Sequence, residues 1–238
     1  MNWKSLIPNA ITQSNLLCGV LSIYFVSQDR LVLASLLILL AAFLDFFDGL
    51  AARALKVDGD LGTQLDSLAD IISFGLAPSF IAAHMAGAFN LNSMDRLYAF
   101  TPFLMAAFAA FRLAKFNIDT EQKTFFKGLP TPANALFWLS LPLIDEYGNT
   151  ESSLVDLIHF FSSSAILISL FSLLMGALMI SSFPLLALKF KSFEWGKNKW
   201  KYTLLICSAV LLVVFHLAAI PIILLLYLIF SSIHFYKS

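Results

Sequence analysis

Long apolar runs separated by short polar segments dominate the hydrophobicity pattern of the chain. Several runs are about 20 residues long, which is the length of a helix that crosses the hydrocarbon core of a bilayer. The segments between them carry turn-forming and charged residues, as in 56–60 and 145–153. The pattern predicts an all-α, polytopic membrane helical bundle with eight helices, over residues 8–28, 31–55, 61–89, 95–117, 131–145, 154–184, 202–218 and 219–236.

The composition of the chain excludes an ordinary soluble domain. Of its 238 residues, 59% are hydrophobic and only 13% are charged, and 24 are Phe. A soluble domain carries roughly a quarter charged residues and could not bury this much apolar surface. The formal net charge is zero, so charge alone gives no attraction to nucleic acid. We therefore expect membrane lipids, and no nucleic acid, among the partners.

The distribution of basic residues predicts the orientation of the bundle. With eight spans, only Arg30 and Arg96 lie on one side, and the other Lys and Arg residues lie on the opposite side. The positive-inside rule then places both termini in the cytoplasm, and we expect an inner membrane of the bacterial type. Two of the basic residues, Arg53 and Arg112, have a possible chemical role and therefore carry less weight for topology.

Four aspartates within residues 44–79 form the candidate catalytic centre. Asp45 and Asp48 lie near the inner end of the second predicted helix, and Asp66 and Asp70 lie near the start of the third. At 100° per residue each pair shares one helix face, and a short turn makes the two helices antiparallel neighbours. The four carboxylates can therefore converge on one site.

Bound cations are the expected reason for so many acids at this depth. Each charged side chain inside a membrane costs roughly 2.5–3.5 kcal/mol on insertion scales. One or two divalent cations offset this cost, and all-oxygen ligation suits Mg²⁺ or Mn²⁺. A site with two ions is a common device for binding phosphate oxygens during in-line displacement, so we expect two ions.

Small residues on the same helix faces favour phosphate binding. Gly49 and Gly62 allow a diphosphate to approach the backbone, and Ala52 keeps the face open. Arg53 adds a permanent positive charge at the mouth of the site. For Gly49 and Ala52, close helix packing of the small-xxx-small kind is an equally good interpretation.

Three polar side chains in the first predicted helix are further candidates. Asn9, Thr12 and Asn15 recur at helical spacing and could reach the cytidine or ribose of a nucleotide. Hydrogen bonding between helices explains polar residues in a membrane span equally well.

The aspartate segment resembles a known family signature. The pattern Asp45-x2-Asp48-Gly49-x2-Ala52-Arg53-x8-Gly62-x3-Asp66-x3-Asp70 is similar to that of the CDP-alcohol phosphotransferase family, with every fixed position filled. The resemblance implies a six-helix catalytic core, usually dimeric, with a polar cavity that faces the cytoplasm. It implies that the first three aspartates bind the metals, and that Asp70 touches a metal and acts as general base. It also implies that Gly49 and Arg53 lie along the CDP diphosphate.

Three flanking segments are similar to the phosphatidylserine synthase branch of that family. They are 73–79 (SFGLAPS), 111–117 (FRLAKFN) and 128–133 (GLPTPA), with Lys115 at a place where that branch often has a second arginine. The resemblance implies transfer of a phosphatidyl group from CDP-diacylglycerol to L-serine, which gives phosphatidylserine and CMP. It covers most of residues 1–185, which we predict to be the catalytic core, and leaves 186–238 as a basic loop with two extra helices.

The acceptor site is less well defined by the sequence. Arg112 and Lys115 lie about one helical turn apart and could bind a carboxylate or a lipid phosphate, although positive-inside anchoring is the alternative. Ser73 follows Asp70 on the same predicted face and is a third candidate.

Two other functions remain open at this stage. Another enzyme of the family would use choline, glycerol phosphate or inositol phosphate as the acceptor. A cation transporter could use the intramembrane acids as its ion path, but it gives no reason for the Gly, Ala and Arg residues at fixed spacing.

Overall fold

In the computed structural model, the description covers residues 3–57, 59–89, 97–118, 126–148, 152–186 and 194–236. These residues are almost entirely helical, as predicted. The helices are α1 (Trp3–Ser27), α2 (Leu31–Leu55), α3 (Asp60–Asp70), α4 (Ala77–Met85), α5 (Leu104–Ile118), α6 (Thr131–Tyr147), α7 (Ser153–Ser162), α8 (Ala165–Ile180), α9 (Trp195–Phe215) and α10 (Ala219–Tyr236). Two-residue strands, β1 (Phe126–Lys127) and β2 (Pro184–Leu185), pair antiparallel.

The first two helices form a tight hairpin. The turn between them places Asp29 at φ 58°, and the amide of Arg30 donates to the carbonyl of Phe25 at 2.9 Å. Lower in the hairpin, the Ser22 hydroxyl donates to the carbonyl of Ala34 at 2.9 Å. The first helix begins at Trp3 and not at Pro8 as predicted, so Pro8 lies inside it.

The third predicted helix is continuous from Asp60 to Met85 but changes its winding in the middle. Residues Ile71–Leu76 form a π-helix between α3 and α4, directly after Asp70. Single π-helical turns occur frequently at functional sites. Because the wider turn changes the angle per residue, Ser73 does not continue the predicted stripe of Asp66 and Asp70.

The short helix α6 lies at the centre of the bundle. Most of its residues are buried, and its two faces belong to different apolar clusters. Leu139 packs with Ile38, Phe74 and Ile81 of the N-terminal helices. Trp138, which is fully buried, packs with residues of α5, α8 and α10. This helix therefore connects the aspartate-bearing helices to the C-terminal part of the chain.

The predicted helix over 154–184 is broken in the structure. It consists of α7 and α8, which meet at an angle of 88°. Three consecutive serines occupy the break, and the Ser164 side chain accepts a hydrogen bond from the amide of Leu167 at the start of α8. Serine at this position satisfies a free N–H of the first helical turn, which stabilises a new helix start.

The last two helices fold back on each other. The ring of Trp200, early in α9, lies 6.0 Å from that of Phe230, late in α10. The turn includes a 3-10 segment, His216–Ala218, with His216 at φ 49°. The helix α9 begins at Trp195, earlier than the predicted residue 202.

Several helices are suited to crossing a membrane. Within the described residues five helical stretches are long and apolar enough, and the bent pair α7 and α8 would be a sixth. The last stretch, Asn198–His234, contains both α9 and α10. Large apolar side chains such as Phe43 and Phe46 of α2 are exposed on the outside of the bundle. The protein is an integral membrane protein.

Candidate active site

Three of the four aspartates meet between α2 and α3. Carboxylate oxygens of Asp45, Asp48 and Asp66 all lie within 4.8 Å of one another. This arrangement confirms the convergence of two helices that the spacing predicted. The donor set consists of oxygen atoms alone, which fits a hard divalent cation such as Mg²⁺ or Mn²⁺.

Asp70 lies next to this cluster and is buried like Asp48. Its side chain is within hydrogen-bonding range of Asp45, and the residue is only 9% exposed. Its Oδ1 atom is buried and has no hydrogen-bond partner among the described residues. Since a buried oxygen without a partner is costly, this atom fits a role toward a cation or a substrate proton.

The cluster opens into a polar cavity of about 170 Å³. Its walls come from the start of α1, the end of α2 and the start of α3. Five predicted donor-binding residues line it together with Asp48 and Asp66. They are Asn9, Thr12, Gly49, Ala52 and Gly62. Pro8 also lines the cavity, together with Val57, Gly59 and Thr63, which the sequence did not single out.

The small residues keep this cavity open. A Cβ atom at Gly62 would lie 3.6 Å from Oδ1 of Asn9, and one at Gly49 would lie 3.8 Å from a guanidinium nitrogen of Arg53. The Arg53 guanidinium therefore lies beside Gly49, where its charge can face a phosphate. Side chains at both glycines would occupy the space between α1, α2 and α3.

Two other predicted residues lie outside the cavity. Asn15 is fully buried, and neither polar atom of its side chain has a partner among the described residues. Ser73 is also fully buried, and its hydroxyl donates to the Asn15 carbonyl at 3.0 Å. These two residues join α1 to the π-helix, and the structure does not bring them to the cavity wall.

The basic pair from α5 lies in a separate, smaller pocket. Arg112 and Lys115 line a small pocket with Lys127 and with Ser181 just after α8. Arg112 interacts electrostatically with Asp70, and its Nε atom is buried without a hydrogen-bond partner in the described part of the chain. The sequence did not indicate Lys127, because it lies outside the helix that carries the other two.

Two further buried polar groups lie at the start of α6. Thr131 Oγ1 and Asn134 Nδ2 are buried and have no partner among the residues described. The Oδ1 atom of Asn134 accepts a hydrogen bond from the indole of Trp138 at 3.1 Å. Thr131 belongs to the segment 128–133, and Asn134 follows that segment directly.

Comparison with known proteins agrees with this geometry. The family model described as CDP-alcohol phosphatidyltransferase matches residues 5–146. The chain belongs to this family. The match contains the four aspartates and α1 to α6, whereas α7 to α10 lie beyond it.

Individual members of the family are similar to this chain over different lengths. The CDP-diacylglycerol–serine O-phosphatidyltransferase of Helicobacter pylori (strain ATCC 700392 / 26695) is 33% identical over 237 residues, which cover 96% of this chain and 90% of the relative. The Bacillus subtilis (strain 168) protein of the same name is 40% identical over 126 residues, or 53% and 69% of the two chains. One from Methanocaldococcus jannaschii is 32% identical over 142 residues, or 59% and 63%.

Proposed function

We propose that this protein transfers the phosphatidyl group of CDP-diacylglycerol to L-serine, forming phosphatidylserine and CMP. The cluster of three aspartates, two of which line a polar cavity, carries the proposal together with Asp70 beside them. The names and nearly full coverage of the Helicobacter relatives support serine as the acceptor. A cation transporter would not account for membership of a phosphatidyltransferase family.

Asp45, Asp48 and Asp66 would hold Mg²⁺ or Mn²⁺, with Asp70 within reach of the same site. Two ions bound there would neutralise the charge of the diphosphate and of the leaving CMP. The orphaned Oδ1 of Asp70 and the oxygen-only donor set support this assignment.

The nucleotide end of the donor would occupy the polar cavity. Thr12 and Asn9 would contact the cytidine or ribose, and Gly49, Ala52 and Gly62 would leave space for the diphosphate, since all five line the cavity. Arg53 would face the phosphates from the exposed side. Asn15 would act indirectly, because it packs behind the cavity and positions α1 against the π-helix.

The reaction would be an in-line displacement on the lipid-side phosphorus. The serine hydroxyl oxygen forms the new bond to this phosphorus, and the bond from the phosphorus to the bridging oxygen of CMP breaks. Asp70 accepts the hydroxyl proton. Arg112 and Lys115 would bind the serine carboxylate or the lipid phosphate, and Ser73 would position Asp70 through the π-helix that follows it. Positioning and charge neutralisation account for most of the catalysis in such transfers.

We further propose a catalytic core over residues 1–185 that works as a homodimer, with both termini and the active site on the cytoplasmic side. The positive-inside distribution of Lys and Arg supports the orientation. The exposed apolar face of α2 is compatible with a second copy or with lipid.

An acceptor panel tests the proposed function. Purified protein with CDP-diacylglycerol and Mn²⁺ should release CMP with L-serine, and much more slowly with choline, glycerol phosphate or inositol phosphate. Faster release with one of these alcohols would assign the enzyme to another branch of the family. No CMP release with any acceptor would contradict the proposal.

A further inference from the structure

A second large cavity is apolar and lies apart from the aspartates. It has a volume of about 400 Å³ and lies between α6 and the α9–α10 hairpin. Its lining is almost entirely apolar and includes Ala133 and Phe137 of α6, Ser208 and Leu212 of α9, and Leu224 and Tyr227 of α10. The family model does not reach α9 or α10.

The shape of this cavity suits entry from the bilayer. Leu204 and Leu224 are buried and form part of the wall, whereas Leu205 and Leu212 are 45% and 46% exposed on the lipid-facing side. An apolar ligand could thus enter sideways from the membrane. From Leu204 to Leu212 the wall of α9 is about 12 Å long, at 1.5 Å per residue.

One end of the cavity is connected to the catalytic centre. Tyr227 lines the cavity, and its hydroxyl donates to the Leu186 carbonyl at 3.0 Å. The side chain of Arg112 interacts electrostatically with both Tyr227 and Asp70. A positive charge that suits a phosphate is therefore close enough to interact with both Asp70 and a residue of the cavity wall.

We infer that this cavity binds one fatty acyl chain of the phosphatidyl donor. A lipid whose phosphate lies near Asp70 and Arg112 would extend its chain past Tyr227 into the cavity. The α9–α10 hairpin would then make the enzyme selective for the length of the acyl chain. Ser208 lies about halfway along the part of α9 that lines the cavity. This inference rests on the proposed function for the identity of the donor.

Filling the cavity at its midpoint tests the inference. We expect Ser208→Phe to exclude the outer part of a long chain and to leave a short chain unaffected. The ratio of kcat/KM for CDP-dipalmitoylglycerol to that for CDP-dihexanoylglycerol, measured in detergent micelles with serine, should fall at least about tenfold, since losing even one methylene from an apolar pocket costs roughly that much.

A matched control is available on the same helix. Val213 is 76% exposed and does not line the cavity, so Val213→Phe should leave the ratio at its wild-type value. If Ser208→Phe does not yield a monodisperse protein, Ala133→Leu on the opposite wall gives the same test with a smaller change.

Equilibrium binding of the two donors without serine separates this inference from the proposed function. A selective loss of binding of the long-chain donor in Ser208→Phe would support the cavity even if serine were not the acceptor. An unchanged ratio, or an equal loss with both donors, would overturn it. A change in the oligomeric size of Ser208→Phe without a change in the ratio would also overturn the inference. It would show that a second copy of the polypeptide occupies the cavity.

Discussion

The hydroxyl of Thr12 on α1 lies 2.6 Å from Oδ2 of Asp48 on α2. The same hydroxyl is 3.0 Å from the carbonyl of Pro8, one turn earlier in its own helix. A charge-assisted hydrogen bond to a carboxylate is stronger than one to a neutral carbonyl. Thr12 therefore fixes one of the predicted metal ligands from a neighbouring helix.

Thr12→Val should weaken the activation by metal. It removes the hydrogen bond and keeps the size of the side chain, and loss of a partner that orients a ligand typically costs 10–100-fold in metal affinity or activity. We expect the Mn²⁺ concentration for half-maximal CMP release to rise about tenfold. Thr12→Ser should restore it.

Thr203→Val is the matched control for this change. Its hydroxyl donates to the Lys199 carbonyl at 2.8 Å on exposed α9, away from the aspartates. A Thr12→Val enzyme with the metal dependence of the wild type would show that Asp48 needs no support from α1.

Asp70→Asn should abolish turnover while donor binding is largely retained. The amide cannot accept the serine proton, and a positioned base typically contributes about 10²–10⁴-fold to the rate. CMP release and equilibrium binding of CDP-diacylglycerol should be measured on the same preparation. A variant that releases CMP at the wild-type rate would remove Asp70 from the role of general base.

Removal of divalent metal should stop the reaction reversibly. The oxygens of Asp45, Asp48 and Asp66 lie close enough for shared ligation, so dialysis against a chelator should abolish CMP release and Mg²⁺ or Mn²⁺ should restore it. Asp66→Asn should require a higher metal concentration, whereas Asp156→Asn, at an exposed position on α7, should not. Full activity in chelator would contradict a metal-dependent mechanism.

Gly19→Ala should destabilise the packing behind the active site. A Cβ atom at Gly19 would lie 2.6 Å from Oγ and 2.8 Å from Cα of Ser73 in the π-helix. Overpacking of this kind costs about 1–3 kcal/mol, so we expect a lower thermal midpoint in detergent and reduced activity.

Gly196→Ala provides the comparison for Gly19→Ala. No described atom lies within 4 Å of the Cβ position at Gly196, which is in the first turn of α9. Its thermal midpoint should be unchanged or slightly higher, because alanine favours the helix. Equal midpoints for the two variants would show that α1 can move away from the π-helix at little cost.

The break between α7 and α8 shows where periodicity fails as a guide to the fold. Residues 154–184 are continuously apolar enough for one helix, and the sequence predicted one. The serines at 162–164 were the available signal, since serine favours helix starts. Whether a helix breaks at such serines depends on the residues that pack against its two halves. Here Asp145 of α6 accepts a hydrogen bond from Ser162 at 3.0 Å, which holds the end of α7 against α6.

The sequence alone determined the membrane bundle and the convergence of the aspartates. Apolar run lengths and the three- and four-residue spacings are local properties, because a helix repeats every 3.6 residues. Asp45, Asp48 and Asp66 therefore met as the spacing predicted. The predicted roles of the aspartates and of the surrounding residues still require the experiments above.

The tertiary structure alone decided which other residues share a site. It placed Asn15 and Ser73 behind the cavity, brought Lys127 to Arg112 and Lys115, and used α9 and α10 to enclose an apolar space beside α6. These relationships join helices that are far apart in the chain. They depend on how closely the helices approach one another and on the π-helical turn after Asp70. The periodicity of apolar residues in the sequence predicts neither of these features.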